Sequence, residues 1–466
     1  MVSIVLMLTA ATLIKHGMFM DAMLYTSVSH NLSQGIGTFW FPFFDEYNII
    51  NLTSFHEQPP LVFGIQSLFF RVLGDGMYVE RFYTFFTLCV TVWLIVTLWG
   101  EVTKDNQTLR PYAWLACLIW ITIPVCFWSY SNNMHENTMG IFTLSSVLLS
   151  YKALQSHSSK VFLYILAGLF VCLAVLSKGF PGFFPITVPF LYWLFVRKKS
   201  FPQIALYSFI LLVMLLMVGI GLYFYPDSKE SLSIYLFKRA FARINEAHTV
   251  NSRFFILWRL LSELIPAFML TAVVFTIAKW KGISTEFSTQ KRQAFFFLSI
   301  GISGSLPLML TLVQNGFYFV PSLPFFGIGF ALLLSPVVDN LLKKINPARY
   351  HLYFGTTLLL LAGSLVFTYL QKDKFSRDKD LLHDIDLISS VVPKNTRMHC
   401  THSAYQNWEL NCYLVRTYNS SVIDIELDDK KRDFFVSEID LPNPDPSLYD
   451  EIKLATFTFK LYKRKG

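Results

Sequence analysis

QIALYSFILLVMLLMVGIGLYFY, residues 203–225, carries no charged side chain and is long enough to cross about 30 Å of hydrocarbon as one helix. Similar apolar runs lie near 79–99, 112–128, 138–154, 161–177, 183–196, 255–278, 293–313, 317–336 and 351–370. Residues 1–13 are short for a span and lack the basic flank and small-residue cleavage site of a signal peptide. They read as a first transmembrane helix, from a chain whose start could lie further upstream. The expected fold is therefore a polytopic α-helical membrane protein of about eleven transmembrane helices.

Composition agrees with that reading. Of the 466 residues, 53% are hydrophobic and 15% charged, with a mean hydropathy of +0.45, which is more apolar than a soluble core requires. The 46 phenylalanines fall partly in runs such as 39–44 and 295–298 that a water-facing surface would not tolerate. A formal charge of +8 could suggest nucleic acid, but the basic residues sit mostly in short breaks between apolar runs. With the N-terminus inside, Lys104, Arg110, Lys152, Arg197 and Lys343 fall on the cytoplasmic side, as the positive-inside rule asks.

An odd number of spans places residues 371–466 on the outer side, as a small soluble α/β domain following a transmembrane domain of residues 1–370. Residues 421–427 and 453–462 alternate as strands do, and 378–392 have helical spacing. Four cysteines lie within apolar runs and read as packing residues. Cys400 and Cys412 stand in the tail, where they could close a short disulfide loop in an oxidising compartment or remain two thiols.

Chemistry is expected in the long first external segment, about residues 15–78, which is too polar in places for a mere connection. It holds Asp21, Asp45, Glu46, His56 and Glu57 beside the break Gln58-Pro59-Pro60. Carboxylates and imidazoles held against a membrane face can take a proton or hold a metal; the alternative is that Asp21 caps a helix and His56 is solvated. A second external loop, 226–254, is long and charged, which suggests function rather than orientation.

The stretches 20–42 (MDAMLYTSVSHNLSQGIGTFWFP) and 55–83 resemble the opening of the bacterial ArnT/protein O-mannosyltransferase-like family of GT-C glycosyltransferases. The matching positions are Asp21, the turn Glu57 to Leu61, the end Val72-Leu73-Gly74, and Arg81. Residues 131–142, 176–189 and 315–334 extend the resemblance in the expected order over most of the membrane part.

The resemblance implies an inverting transferase that moves a sugar from a polyprenyl-phosphate donor to a hydroxyl of a lipid, glycan or protein acceptor at the outer face of a bacterial inner membrane, with the tail periplasmic. It implies Asp21 as the general base. The leaving phosphate needs positive charge, for which the candidates are Lys178, Arg81 and the loop residues Lys238, Arg239 and Arg243, with Tyr318 as a further phosphate contact. Lys178 stands out because it combines an ammonium with adjacent glycines at a helix end; otherwise it is an interfacial lysine whose stem lies along apolar surface. His56, Glu57, His135 and Glu136 would line the substrate cavity; the alternative for the cluster 131–137 is a capping role of Asn133 or Asn137 at the next helix. Some relatives hold a divalent metal through the Glu before the proline turn and a later His, which here would be Glu57 and His248. The Lys that often follows that Glu is replaced by Gln58, removing one phosphate contact. No Gly-rich nucleotide loop is present, in keeping with a lipid-linked donor and no nucleotide cofactor.

Two other classes compete. A transporter or flippase of lipid-linked or small polar substrates also has many spans, but it usually places ionisable groups at the midplane, whereas here they cluster in external loops. A scaffold presenting the tail would leave Asp21 without a task.

Overall fold

The computed structural model describes residues 1–45, 54–156, 160–242, 248–283, 288–441 and 444–465. All eleven apolar segments carry helix. Among the described residues, six helices are long and apolar enough to cross a membrane: Val79–Val102, Val161–Lys178, Phe201–Phe224, Gln290–Leu310, Leu323–Leu342 and Tyr350–Tyr369. Two further spans are broken. Arg110–Ile121 and Pro124–Tyr130 meet at 88°, and Phe255–Glu263 and Ile265–Trp280 at 46°. Proline explains both, since Pro124 and Pro266 cannot continue a helical hydrogen-bond ladder. Ile123, just before Pro124, is extended at ψ 124°.

Among the described residues, length and composition thus pick out six spans, or eight with the bent pairs, of the eleven expected. The other three segments differ for separate reasons. Val2–Leu13 is short and π-helical at Leu6–Ala10. Residues 180–195 begin as a 3-10 helix, Phe180–Thr187, with Pro181 and Pro185 inside it, before the helix Val188–Phe195. The helix His135–Gln155 is long, but its Thr143, Ser146 and Ser150 are turned into protein rather than lipid, so its burial does not depend on apolar composition.

Two compact units divide the chain. The first comprises Met1–Leu13, His56–Val62 and Thr84–Leu370. Within it, His135–Gln155 packs along Val161–Lys178, which in turn packs along Phe201–Phe224. Leu323–Leu342 lies against Ala113–Ile121, where Gly327 permits close approach: a Cβ there would lie 2.9 Å from the Ala116 carbonyl oxygen. Tyr350–Tyr369 instead exposes Leu352, Phe354 and Leu359, as a lipid-facing helix should. Residues 226–240, expected as loop, form the helix Pro226–Ser233 and a π-helical continuation, Ile234–Ala240.

The second unit comprises Ile14–Phe55, Phe63–Tyr83 and Gln371–Gly466, so most of the first external segment clusters with the tail. Its sheet has the order β2-β1-β3-β5-β4, formed by β1 (Arg397–Cys400), β2 (Ser421–Asp424), β3 (Phe434–Glu438), β4 (Tyr449–Ile452) and β5 (Phe459–Arg464). β1 is parallel to β2 and β3, while β5 runs antiparallel to β3 and β4. The helix Lys379–Val391 holds the sheet through Asp384, whose buried carboxylate accepts the N–H groups of Phe457, Thr458 and Phe459 at 2.7, 2.6 and 2.9 Å. Cys400 and Cys412 are both thiols, buried in β1 and in the helix Trp408–Tyr418, and burial pushes both well above the usual thiol range. Of residues 453–462, only those from Phe459 onward are strand.

Candidate active site

Lys178 ends the helix Val161–Lys178, and Gly179 stops it at φ +81°, where a Cβ would also collide with the Tyr235 hydroxyl. The chain then turns into Phe180–Thr187, which leaves the Lys178 side chain pointing inward, 6% exposed. Its ammonium lies 2.5 Å from Oε1 of Glu136, which is fully buried in the first turn of His135–Gln155. Both helix dipoles favour this pair, with a cation in one last turn and an anion in one first turn. Phe317 and Tyr318, on the 3-10 turn Gly316–Phe319, bring their ring centroids to 5.5 and 5.7 Å from the ammonium. Trp128 stacks on Phe317 at 5.8 Å and fixes that turn from behind.

The pair borders a cavity of about 630 Å³, the size of a small-molecule site. Its polar lining includes Gln58, Glu136, Lys178, Tyr235 and Tyr318, and its walls are apolar, with Phe180, Phe184, Ile186 and Leu308 among them. A smaller groove of about 240 Å³ shares Phe180, Phe183 and Tyr235 with it and runs along Cys172, Val175, Leu215, Val218 and Leu222. The second groove is almost wholly apolar.

Of the residues singled out in the sequence, the structure gathers Glu136, Lys178 and Tyr318 at this cavity. His135 is buried beside Glu136. His56 is buried with Nδ1 3.3 Å from Ser231 Oγ, and burial together with the Lys238 ammonium pushes it down to about 4, so it is a neutral imidazole rather than the solvated group of the alternative reading. Glu57 is ion-paired with Arg239. Gln58, which follows it, lines the cavity, as does Ala240, which follows Arg239.

Asp21 and Arg81 belong to the second unit. Asp21 stands half-buried in the first turn of the helix Met20–Ser33, where the dipole favours its charge. Arg81 is buried and its guanidinium is engaged within its own unit. It donates to the Lys15 carbonyl through Nε and Nη2 at 3.2 and 3.0 Å, to the Met77 carbonyl, and to Glu80 at 3.2 Å. Glu80 is shared with Arg416 at 2.9 Å. Those bonds satisfy the Arg81 guanidinium within its unit.

The proposed metal pair is not supported by the donor set. Glu57 already faces a guanidinium, His248 is exposed, and no group of three His, Cys, Asp or Glu suited to a metal occurs among the described residues. Arg243 and Glu46 lie outside the described residues. Sequence reasoning missed Phe317 and Tyr235. Phe317 had a signal, since it stands next to Tyr318 just before Pro321; Tyr235 lay in a segment read as loop, where no helical face could be assigned.

Comparison with known proteins follows the same lines. Residues 57–223 match the family model of dolichyl-phosphate-mannose-protein mannosyltransferases. No curated protein matches the sequence. Among solved structures, ArnT from Cupriavidus metallidurans bound to undecaprenyl phosphate is similar at a TM-score of 0.67 and 13% identity, over 99% of this chain and 96% of that one. The same protein in its apo state gives 0.66 and 13%, over 98% and 95%. The Archaeoglobus fulgidus oligosaccharyltransferase in complex with Zn and sulfate gives 0.49 and 14%, over 90% and 64%. The chain is thus a polytopic helical membrane protein that shares the fold of ArnT over nearly its whole length.

Proposed function

We propose that this protein is an inverting glycosyltransferase that moves a sugar from a polyprenyl-phosphate donor to a hydroxyl acceptor at the outer face of a bacterial inner membrane. The observation that carries the reading is the buried Lys178 ammonium at the edge of an apolar cavity that adjoins an apolar groove. A lipid-linked donor presents those two chemistries together, a phosphate that gains charge as its glycosidic bond breaks and a hydrocarbon chain that needs an apolar bed. Lys178 meets the phosphate and the groove along Val175, Leu215 and Val218 takes the first part of the chain. Two facts support the family reading: ArnT, whose fold this chain shares, binds undecaprenyl phosphate, and the matched family model is one of dolichyl-phosphate-mannose-dependent transferases.

Asp21 is the base of this proposal. It removes the proton of the acceptor hydroxyl as the oxygen attacks the anomeric carbon, and the phosphate leaves from the opposite face. The acceptor is a lipid, a glycan or a protein, and residues 371–466 are periplasmic, in accord with Lys and Arg in the short loops between spans on the other side.

The test is transfer of radiolabelled sugar from polyprenyl-phosphate sugars to endogenous acceptors, in membranes holding the native chain or Asp21→Asn at equal expression. The expected result is transfer by the native chain and a loss of about 10²-fold or more in the variant. Equal transfer removes Asp21 from the mechanism; no transfer by either, with the donor pool verified, overturns the reading in favour of a transporter or scaffold.

A further inference from the structure

We propose that Arg239 takes, on Glu57, the place that the family resemblance gives to a divalent cation, so that the charge on this wall of the cavity is a built-in guanidinium. The role in donor recognition rests on the transferase reading above; the charge assignment does not.

Three observations carry it. The Glu57 carboxylate is mostly buried, 13% exposed, and is matched by the Arg239 guanidinium, itself 26% exposed. A carboxylate engaged in this way presents a metal with one oxygen already taken and a positive neighbour. Among the described residues the other ligands are not in place. His56 is held near Ser231 at 3.3 Å, and His248 is exposed beside Thr249, whose N–H and hydroxyl both donate to the Leu312 carbonyl. Among the described residues no three such donors converge.

The third observation is a matter of charge. The family resemblance implies a Lys after this Glu, and the present chain has the neutral Gln58 there. Arg239 supplies one from a different segment, the π-helical stretch Ile234–Ala240. The residues next to the pair on both sides, Gln58 and Ala240, line the cavity, as does Tyr235 from the same stretch. The ion pair therefore joins two segments whose next residues line the cavity, and sets a guanidinium directly behind that wall. A guanidinium offers planar, two-pronged donation suited to a phosphate as well as to a carboxylate.

The experiment uses the purified full-length chain in nanodiscs, stripped with a chelator and then equilibrated with Zn²⁺, Mn²⁺ or Mg²⁺ alone. Metal content is read by mass spectrometry, and donor KM and kcat are measured for native, Arg239→Gln and Arg239→Lys. The expected outcome is no stoichiometric ion on the native chain, transfer unchanged by chelation, and a donor KM raised tenfold or more in Arg239→Gln with recovery in Arg239→Lys. An ion bound one per chain and lost in Glu57→Gln overturns the proposal, and so does an unchanged KM in Arg239→Gln. Metal content is measured without any turnover, so a chain that transfers no sugar refutes the transferase reading and leaves the charge assignment to be decided by the ion count.

Discussion

Glu263 accepts the backbone N–H of Val125 at 2.7 Å, and through this bond the two broken spans hold each other at their breaks. Val125 is the second residue after the proline-induced bend, where an N–H has no partner in its own helix. Glu263 ends the segment before the other bend and also receives Arg259 at 2.6 Å. Removing the carboxylate in Glu263→Ala leaves a buried N–H unsatisfied, at a cost of about 1–3 kcal/mol. Glu263→Gln, which still accepts, loses less. Thermal unfolding of the purified variants checks the order native, Gln, Ala.

Lys178 and Glu136 form a buried pair, and losing one partner strands the other. Lys178→Met is expected to lose about 3–5 kcal/mol and Glu136→Gln in the same background to regain much of it. Transfer stays absent in the double variant, because the charge that meets the phosphate is gone. A double-mutant cycle on unfolding, run beside the transfer assay, separates the two effects.

His56 gives a pH dependence of known sign. Its folded-state value is about 4 and its unfolded value 6.5, so over this window the unfolded chain binds a proton that the folded chain refuses. Stability due to this group is complete above pH 6.5 and is lost as the pH falls toward 4. His56→Gln should flatten that part of the melting-temperature profile; an unchanged slope would show that His56 is protonated in the fold.

Asp384 gathers three backbone N–H groups at the start of β5. Asp384→Ala should destabilise the tail by more than about 2 kcal/mol, since a charged acceptor of several buried donors is removed. Limited proteolysis should then cut residues 371–466 while the helices of the first unit stay protected.

How far the sequence could be read depended on the kind of information each element needs. The helix Phe201–Phe224 was legible because an uninterrupted apolar run has one stable fate in a bilayer, and its ends fall within two residues of the expected ones. His135–Gln155 was legible as a helix but not as a protein-lined one, since its Ser and Thr residues are placed by their neighbours. The 3-10 turns around Pro181 and at Gly316–Phe319 lay beyond periodicity altogether. Lys178, Glu136 and Tyr318 were visible as polar residues in the turns between apolar runs, but their convergence was not.

The sequence by itself determined that this chain lives in a membrane, where its helical segments fall, and which polar residues stand out from them, because hydrocarbon penalises every unpaired backbone group and every exposed charge locally. Tertiary structure alone decided the pairings: Lys178 with Glu136, Glu57 with Arg239, and Arg81 with the carbonyls of Lys15 and Met77. A buried charge must find its partner in space, and sequence separation says nothing of which of several carboxylates or cations will be within reach.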